Sequence, residues 1–142
     1  GKYSMKKILF LIVLGSVLSC KQKITDADIS NLNGYWEIEK VELPDGDKKE
    51  YKVNETIDFF ILFGNKGFRK KVMPQLDGTY LTNDIQEDIV IAVKDGDATI
   101  QYKTTYASWK EEIIELTKDK LVVKNEQDLE YHYKRPVKFS VK

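Results

Sequence analysis

Glu87-Asp88-Ile89-Val90-Ile91-Ala92-Val93-Lys94-Asp95-Gly96-Asp97-Ala98-Thr99-Ile100-Gln101-Tyr102-Lys103 decides the fold class. Ile89, Ile91 and Val93 fall on every second position, the period of a strand with one buried face. Asp95-Gly96 then separates two alternating runs. Both residue types tolerate positive φ, which a two-residue hairpin turn requires. Ile100 and Tyr102, followed by Thr104 and Tyr106, carry the alternation back.

The same signals recur on both sides of this hairpin. Tyr35–Leu43 reads as the first strand of the domain, with Trp36 and Ile38 on one face. Val41 and Leu43 fall out of step by one, which predicts a bulge near Glu39-Lys40. Pro44-Asp45-Gly46-Asp47 is a turn. Thr56–Phe63 is apolar on both faces and is therefore expected to be covered on both; Phe59, Ile61 and Phe63 are taken as its inward set. Gly64 to Gly67 turns the chain into Phe68–Met73, and Asp77-Gly78 leads into Thr79-Tyr80-Leu81. Trp109–Leu116, Leu121–Val123 and the run ending in Tyr131 and Tyr133 complete the pattern before Pro136, which cannot donate to a ladder. Eight or nine short antiparallel strands in one compact domain must hide their edges. A closed up-and-down barrel does this completely, and is expected in preference to a two-sheet sandwich.

Composition narrows the function classes. The chain has 142 residues, with 23 basic and 23 acidic side chains, one histidine and one cysteine. One cysteine excludes an intramolecular disulfide. One histidine, His132, excludes multi-histidine metal clusters; no metal and no cofactor are expected, and a surface or rim position is the default for His132. The absence of a basic surplus argues against nucleic acid. Glu111, Glu112 and Glu115 could suggest paired carboxylates, but neighbours on a strand point to opposite faces. A charged outer face is the expectation for all three. No Gly-x-Ser-x-Gly elbow or phosphate loop is present, and no enzymatic activity is expected.

The N-terminus carries an address. Met5-Lys6-Lys7 is followed by the apolar run Ile8–Leu14 and then Gly15-Ser16-Val17-Leu18-Ser19-Cys20. The run is too short to span a bilayer and has the layout of a secretory signal. Leu18-Ser19-Cys20 resembles the lipobox of bacterial lipoproteins. That resemblance implies cleavage after residue 19, acylation of Cys20 and tethering to a membrane of the bacterial envelope. Gly1 to Ser4 precede Met5 and are read as an upstream extension. Lys21, where inner-membrane lipoproteins often carry Asp, implies the outer membrane. Losing residues 1–19 removes three lysines and no acid, so the remainder is mildly acidic. The expected organisation is signal peptide 1–19, lipidated cysteine with tether and short helical turn 20–33, barrel 34–136 and tail 137–142.

A second resemblance rests on Gly34-Tyr35-Trp36 and on Arg135 at the end of the last strand. With Leu116-Thr117-Lys118-Asp119-Lys120-Leu121 and Tyr131 to Arg135, the chain resembles the small lipocalin-like lipoproteins of Bacteroidetes-type bacteria. The resemblance implies that Gly34, Trp36 and Arg135 close the bottom of the barrel. A guanidinium over a desolvated indole contributes about 1–2 kcal/mol. It also implies a cavity for a small hydrophobic or amphipathic ligand. Candidate lining residues are Phe59, Ile61, Phe63, Ile89, Ile91, Ile100, Tyr102 and Tyr106, with Tyr102 or Tyr106 hydroxyls to orient the ligand. The competing expectation is a filled barrel that presents its surface to an envelope protein, through Thr99–Lys103 or the loop Met73–Asp88.

Overall fold

The computed structural model describes residues 21–52 and 54–137. The signal sequence and Cys20 lie outside the described residues, as does most of the tail. A short 3-10 helix, Asp26–Leu32, precedes the strands. The strands are β1 (Gly34–Glu42), β2 (Lys48–Glu50), β3 (Ile57–Phe63), β4 (Lys66–Pro74), β5 (Tyr80–Leu81), β6 (Glu87–Lys94), β7 (Asp97–Lys103), β8 (Ser108–Leu116), β9 (Lys120–Asn125) and β10 (Glu130–Lys134). Antiparallel pairing runs β1-β3-β4-β6-β7-β8-β9-β10, and β10 pairs back to β1. The sheet is thus a closed eight-stranded barrel. The two short strands β2 and β5 lie off the ring, against β1 and β4 respectively.

Local chemistry sets the registers. Asp95 and Gly96 take φ of 53° and 85°, the left-handed pair that a tight hairpin needs. This aligns Ile91 with Ile100 and Ile89 with Tyr102, so the apolar sets of β6 and β7 share the inner face. The β3–β4 hairpin is sharper. A Cβ on Gly67 would stand 1.8 Å from the Ile61 carbonyl oxygen, so no larger residue fits that crossing. The helix starts at Thr25, whose backbone N–H and hydroxyl both donate to the Asp28 carboxylate.

The β1–β10 seam contains the bulge: Ile38 pairs with Tyr133, and Lys40, two residues on, pairs with His132. The extra residue, Glu39, turns the strand. Trp36 and Ile38 face inward before it, while Lys40 and Glu42 face outward after it. The Glu39 carbonyl accepts from the Tyr51 N–H instead.

The core is one cluster that includes Ile24, Leu32, Trp36, Phe60, Leu62, Ile89, Ile91, Ile100, Ile113, Leu116, Leu121 and Val123. It corrects the expected orientation of β3. Phe60 and Leu62 face in, and so does Asp58, while Phe59, Ile61 and Phe63 face out. Phe63 is 77% exposed. The outer face of β3 is covered only in part. Tyr35 packs at a tilt against Phe59 and stacks on Tyr80 of the β4–β6 connection. Tyr106 is also corrected: it sits in the β7–β8 turn and is 96% exposed. Thr99–Lys103 is a central strand whose outer residues are polar, so it offers no apolar contact surface.

Candidate functional site

The barrel interior has two ends of different chemistry. The floor is where β1 begins and β10 ends. Trp36 is fully buried there, and its indole N–H donates to the Leu32 carbonyl at 2.8 Å. The Arg135 guanidinium lies 3.6 Å from the Trp36 ring centroid. It donates to three backbone carbonyls: Lys118 at 2.8 Å, Tyr35 at 3.0 Å and Asn31 at 2.8 Å. Burial lowers its pKa, which marks how far the cation has left water. Gly34 has φ of 108°, and a Cβ there would lie 3.2 Å from Arg135 Nη1. Gly34 therefore gives both the backbone twist and the space that the stack needs. One side chain ties helix, first strand, β8–β9 turn and last strand together.

Toward the other end, the inner face becomes polar. Arg69 of β4 donates from Nε and Nη2 to both oxygens of Glu87, at 2.6 and 2.8 Å. Its guanidinium also lies 4.3 Å from the Tyr102 ring centroid. Burial works to lower the Arg69 pKa, but the Glu87 hydrogen bonds and the nearby acids outweigh it and raise it. Tyr102 stacks on Trp109, with centroids 5.3 Å apart. Glu111, expected on an exposed face, is instead 8% exposed. Burial raises its pKa, against the opposing pull of the neighbouring Tyr102 hydroxyl and the Arg69 cation. Glu111 Oε1 is buried with no hydrogen-bond partner. A register shift between Ile113 and Glu115 separates Glu111 from Glu115, so these two acids do not share a face. Burial likewise raises the Tyr133 pKa well above the ordinary phenol value.

Above this layer opens a pocket of about 450 Å³ at the barrel mouth. Its walls combine Trp36, Ile38, Val41, Tyr51, Tyr131 and Tyr133 with three charged side chains, Glu55, Asp58 and Lys71. Asp58 is 2% exposed and is paired across strands with Lys71, whose ammonium forms an ion pair with it. Asn125 donates to the Tyr131 hydroxyl at 3.3 Å and steadies one wall. The pocket can seat an apolar or aromatic body against tyrosine faces and a polar group beside the Asp58–Lys71 pair.

Of the residues anticipated to line a cavity, Ile89, Ile91, Ile100 and Tyr102 face inward, but they pack in the core and do not line this pocket. Phe59, Ile61, Phe63 and Tyr106 face away from the interior. Gly34, Trp36 and Arg135 meet at the floor. Sequence reasoning missed Asp58, Lys71, Arg69, Glu111 and the inward tyrosines as one group. A legible signal existed for two of them. Tyr131-x-Tyr133 has the strand period, and it precedes an arginine that anchors the floor.

Comparison with known proteins gives a consistent result. The family model of a lipocalin-like domain matches residues 32–123. A lipocalin-like protein from Bacteroides uniformis is similar in structure, at 11% identity and a TM-score of 0.47; the match covers 75% of this chain and 99% of that one. An uncharacterized protein from Bacteroides eggerthii matches at 14% identity and a TM-score of 0.46, covering 74% of this chain and 99% of that one. No curated protein matches the chain. The closed eight-stranded barrel and a family match spanning most of it lead to one conclusion: the chain belongs to the lipocalin-like domain family.

Proposed function

We propose that this protein is a lipid-anchored binding module of the bacterial envelope, which holds a small amphipathic molecule in the mouth of its barrel. The observation that carries the reading is the pocket of about 450 Å³, walled by Trp36 and three tyrosines and bearing the Asp58–Lys71 pair. A volume in the range of small-molecule sites, apolar walls and a few polar groups are the properties of a binding cleft. The lower barrel is packed with its own side chains, so the ligand would be short and would sit near the rim. Anchoring through Cys20, most simply at the outer membrane, follows from the lipobox resemblance and places the pocket in an aqueous envelope compartment. Among the described residues no helix is long and apolar enough to cross a membrane. No catalytic role is proposed.

The test is titration of the purified chain with a fluorescent amphiphile, read through tryptophan emission, since Trp36 lines the pocket. Val41→Trp should fill the mouth and weaken binding at least about tenfold, which is 1.4 kcal/mol. Phe63→Ser, on the outer surface, should leave it unchanged. Equal affinity in wild type and Val41→Trp removes the pocket from consideration.

A second reading has its own observation. Met73, Leu76, Leu81 and Ile85 are exposed between 41% and 76% in and around the β4–β6 connection. Such an apolar loop suits a protein contact in the envelope. Replacing Leu76 and Ile85 with Ser should abolish crosslinking to an envelope partner while leaving the amphiphile titration intact.

A further inference from the structure

The β1–β10 seam carries a second site, on the outer face. Glu42 and Glu130 are paired directly across the two strands, and His132 stands two residues from Glu130 on the same face. Each offers a ligand atom, and these atoms lie within 4.8 Å of one another. His132 Nε2 is 3.2 Å from Glu130 Oε1 and 3.7 Å from Glu42 Oε2. Ligand atoms about 2.0–2.2 Å from a tetrahedral zinc stand roughly 3.3–3.6 Å apart. The two separations from His132 therefore already bracket those of a zinc coordination shell.

Further observations bear on the site. His132 Nε2 is buried with no hydrogen-bond partner, although its side chain is only 13% exposed. Two carboxylates directly opposite on neighbouring strands repel each other, and a cation between them removes that penalty. Lys40 binds Glu42 at 3.2 Å, but through Oε1, so Oε2 stays directed at His132. On the other side, His132 is paired with Val122, which is 2% exposed and gives the imidazole an apolar shelf. The cationic groups nearest by register are Lys40, Lys48 and Lys124.

We propose that Glu42, Glu130 and His132 form a binding site for one divalent transition-metal ion of the zinc type. Two carboxylates and a neutral imidazole balance the charge of the ion and leave a fourth position for water. A nitrogen ligand selects zinc over magnesium or calcium, which favour all-oxygen shells. The ion would join the first strand of the barrel to the last, so it would staple the closing seam. The bulge at Glu39 makes the site possible. Under unbroken alternation, Glu42, four residues after Ile38, would fall on the inner face with it. The proposal is independent of the mouth pocket, which lies on the other side of the sheet.

The test uses the full chain in a Cys20→Ser background, which removes the other soft ligand. Zinc chloride is titrated calorimetrically at neutral pH, with magnesium chloride as control. The expected result is one zinc bound per chain, no magnesium binding, and a raised Tm. His132 is the sole histidine, so its imidazole nitrogen signals in NMR are unambiguous; Nε2 should shift on zinc addition. His132→Gln and Glu130→Gln should each weaken zinc at least about tenfold, while Glu126→Gln should not. Should His132→Gln fail to fold, the Nε2 signal and Glu130→Gln decide. No stoichiometric zinc binding, or an Nε2 signal that zinc leaves unmoved, overturns the site.

Discussion

The floor and the mouth of this barrel bury polar groups by opposite strategies. At the floor one partly buried cation, Arg135, makes its direct contacts with neutral partners: an indole face and three backbone carbonyls. In the upper half, Arg69, Glu87, Asp58 and Glu111 share the interior with Tyr102 and Tyr133; burial raises the pKa of Glu111 and of both tyrosines, and the neighbouring acids raise that of Arg69. The floor binds chain segments to one another and needs no further component. The upper half retains ionisable groups whose burial is costly, and one carboxylate oxygen has no partner. Natural cores rarely keep such groups without a use. The difference separates the end that specifies the fold from the end open to a ligand.

That contrast can be broken in four ways. The largest effect is expected for Trp36→Ala, which removes the biggest buried side chain and one face of the Arg135 stack. The loss should sit at the upper end of about 3–5 kcal/mol in urea unfolding, a large part of a domain's stability. A loss under about 1 kcal/mol would mean that the floor does not hold the fold. Next, Arg69→Met should lose about 3 kcal/mol, because Glu87 is left as an uncompensated charge. Adding Glu87→Gln should restore much of it; additive losses in the double variant would deny the coupling.

Arg135→Lys keeps the charge but not the planar fork. It should cost about 1–2 kcal/mol, since an ammonium cannot both stack on the indole and reach three carbonyls. Unchanged stability would show that charge alone, and not geometry, matters at the floor. The smallest effect sharpens the comparison. The folded-state pKa of Glu111 is raised by burial. Its contribution to stability is therefore present below the ordinary carboxylate pKa and is lost as pH rises through the raised value. Glu111→Gln should match wild type in acid and exceed its Tm at neutral pH. A Tm difference that does not change with pH would place Glu111 in water.

Much of this was readable from residues alone. The Asp95-Gly96 hairpin and the strand alternation gave the right registers because φ preference and period are local properties. Gly34, Trp36 and Arg135 were legible through the family resemblance, which places such residues on the first strand and at the end of the last. The bulge near Glu39 showed as a break in alternation. β3 was misread because six of its seven residues are apolar, leaving periodicity with nothing to choose between. Asp58 would have seemed the outward residue. It turns inward because Lys71 stands directly across from it on β4. Glu111 was misread for the same reason: its partners, Tyr102 and Arg69, come from other strands.

The sequence by itself determined the class of fold and the hairpins, since each depends on short-range pattern, and its resemblance to a known family pointed to the floor stack. Only the tertiary structure decided which face of β3 is buried, where the pocket lies and that Glu42, Glu130 and His132 meet. Closing a sheet into a ring makes neighbours of its first and last strands. No window of sequence contains that contact, and its energy comes from pairing that exists only when the barrel is complete.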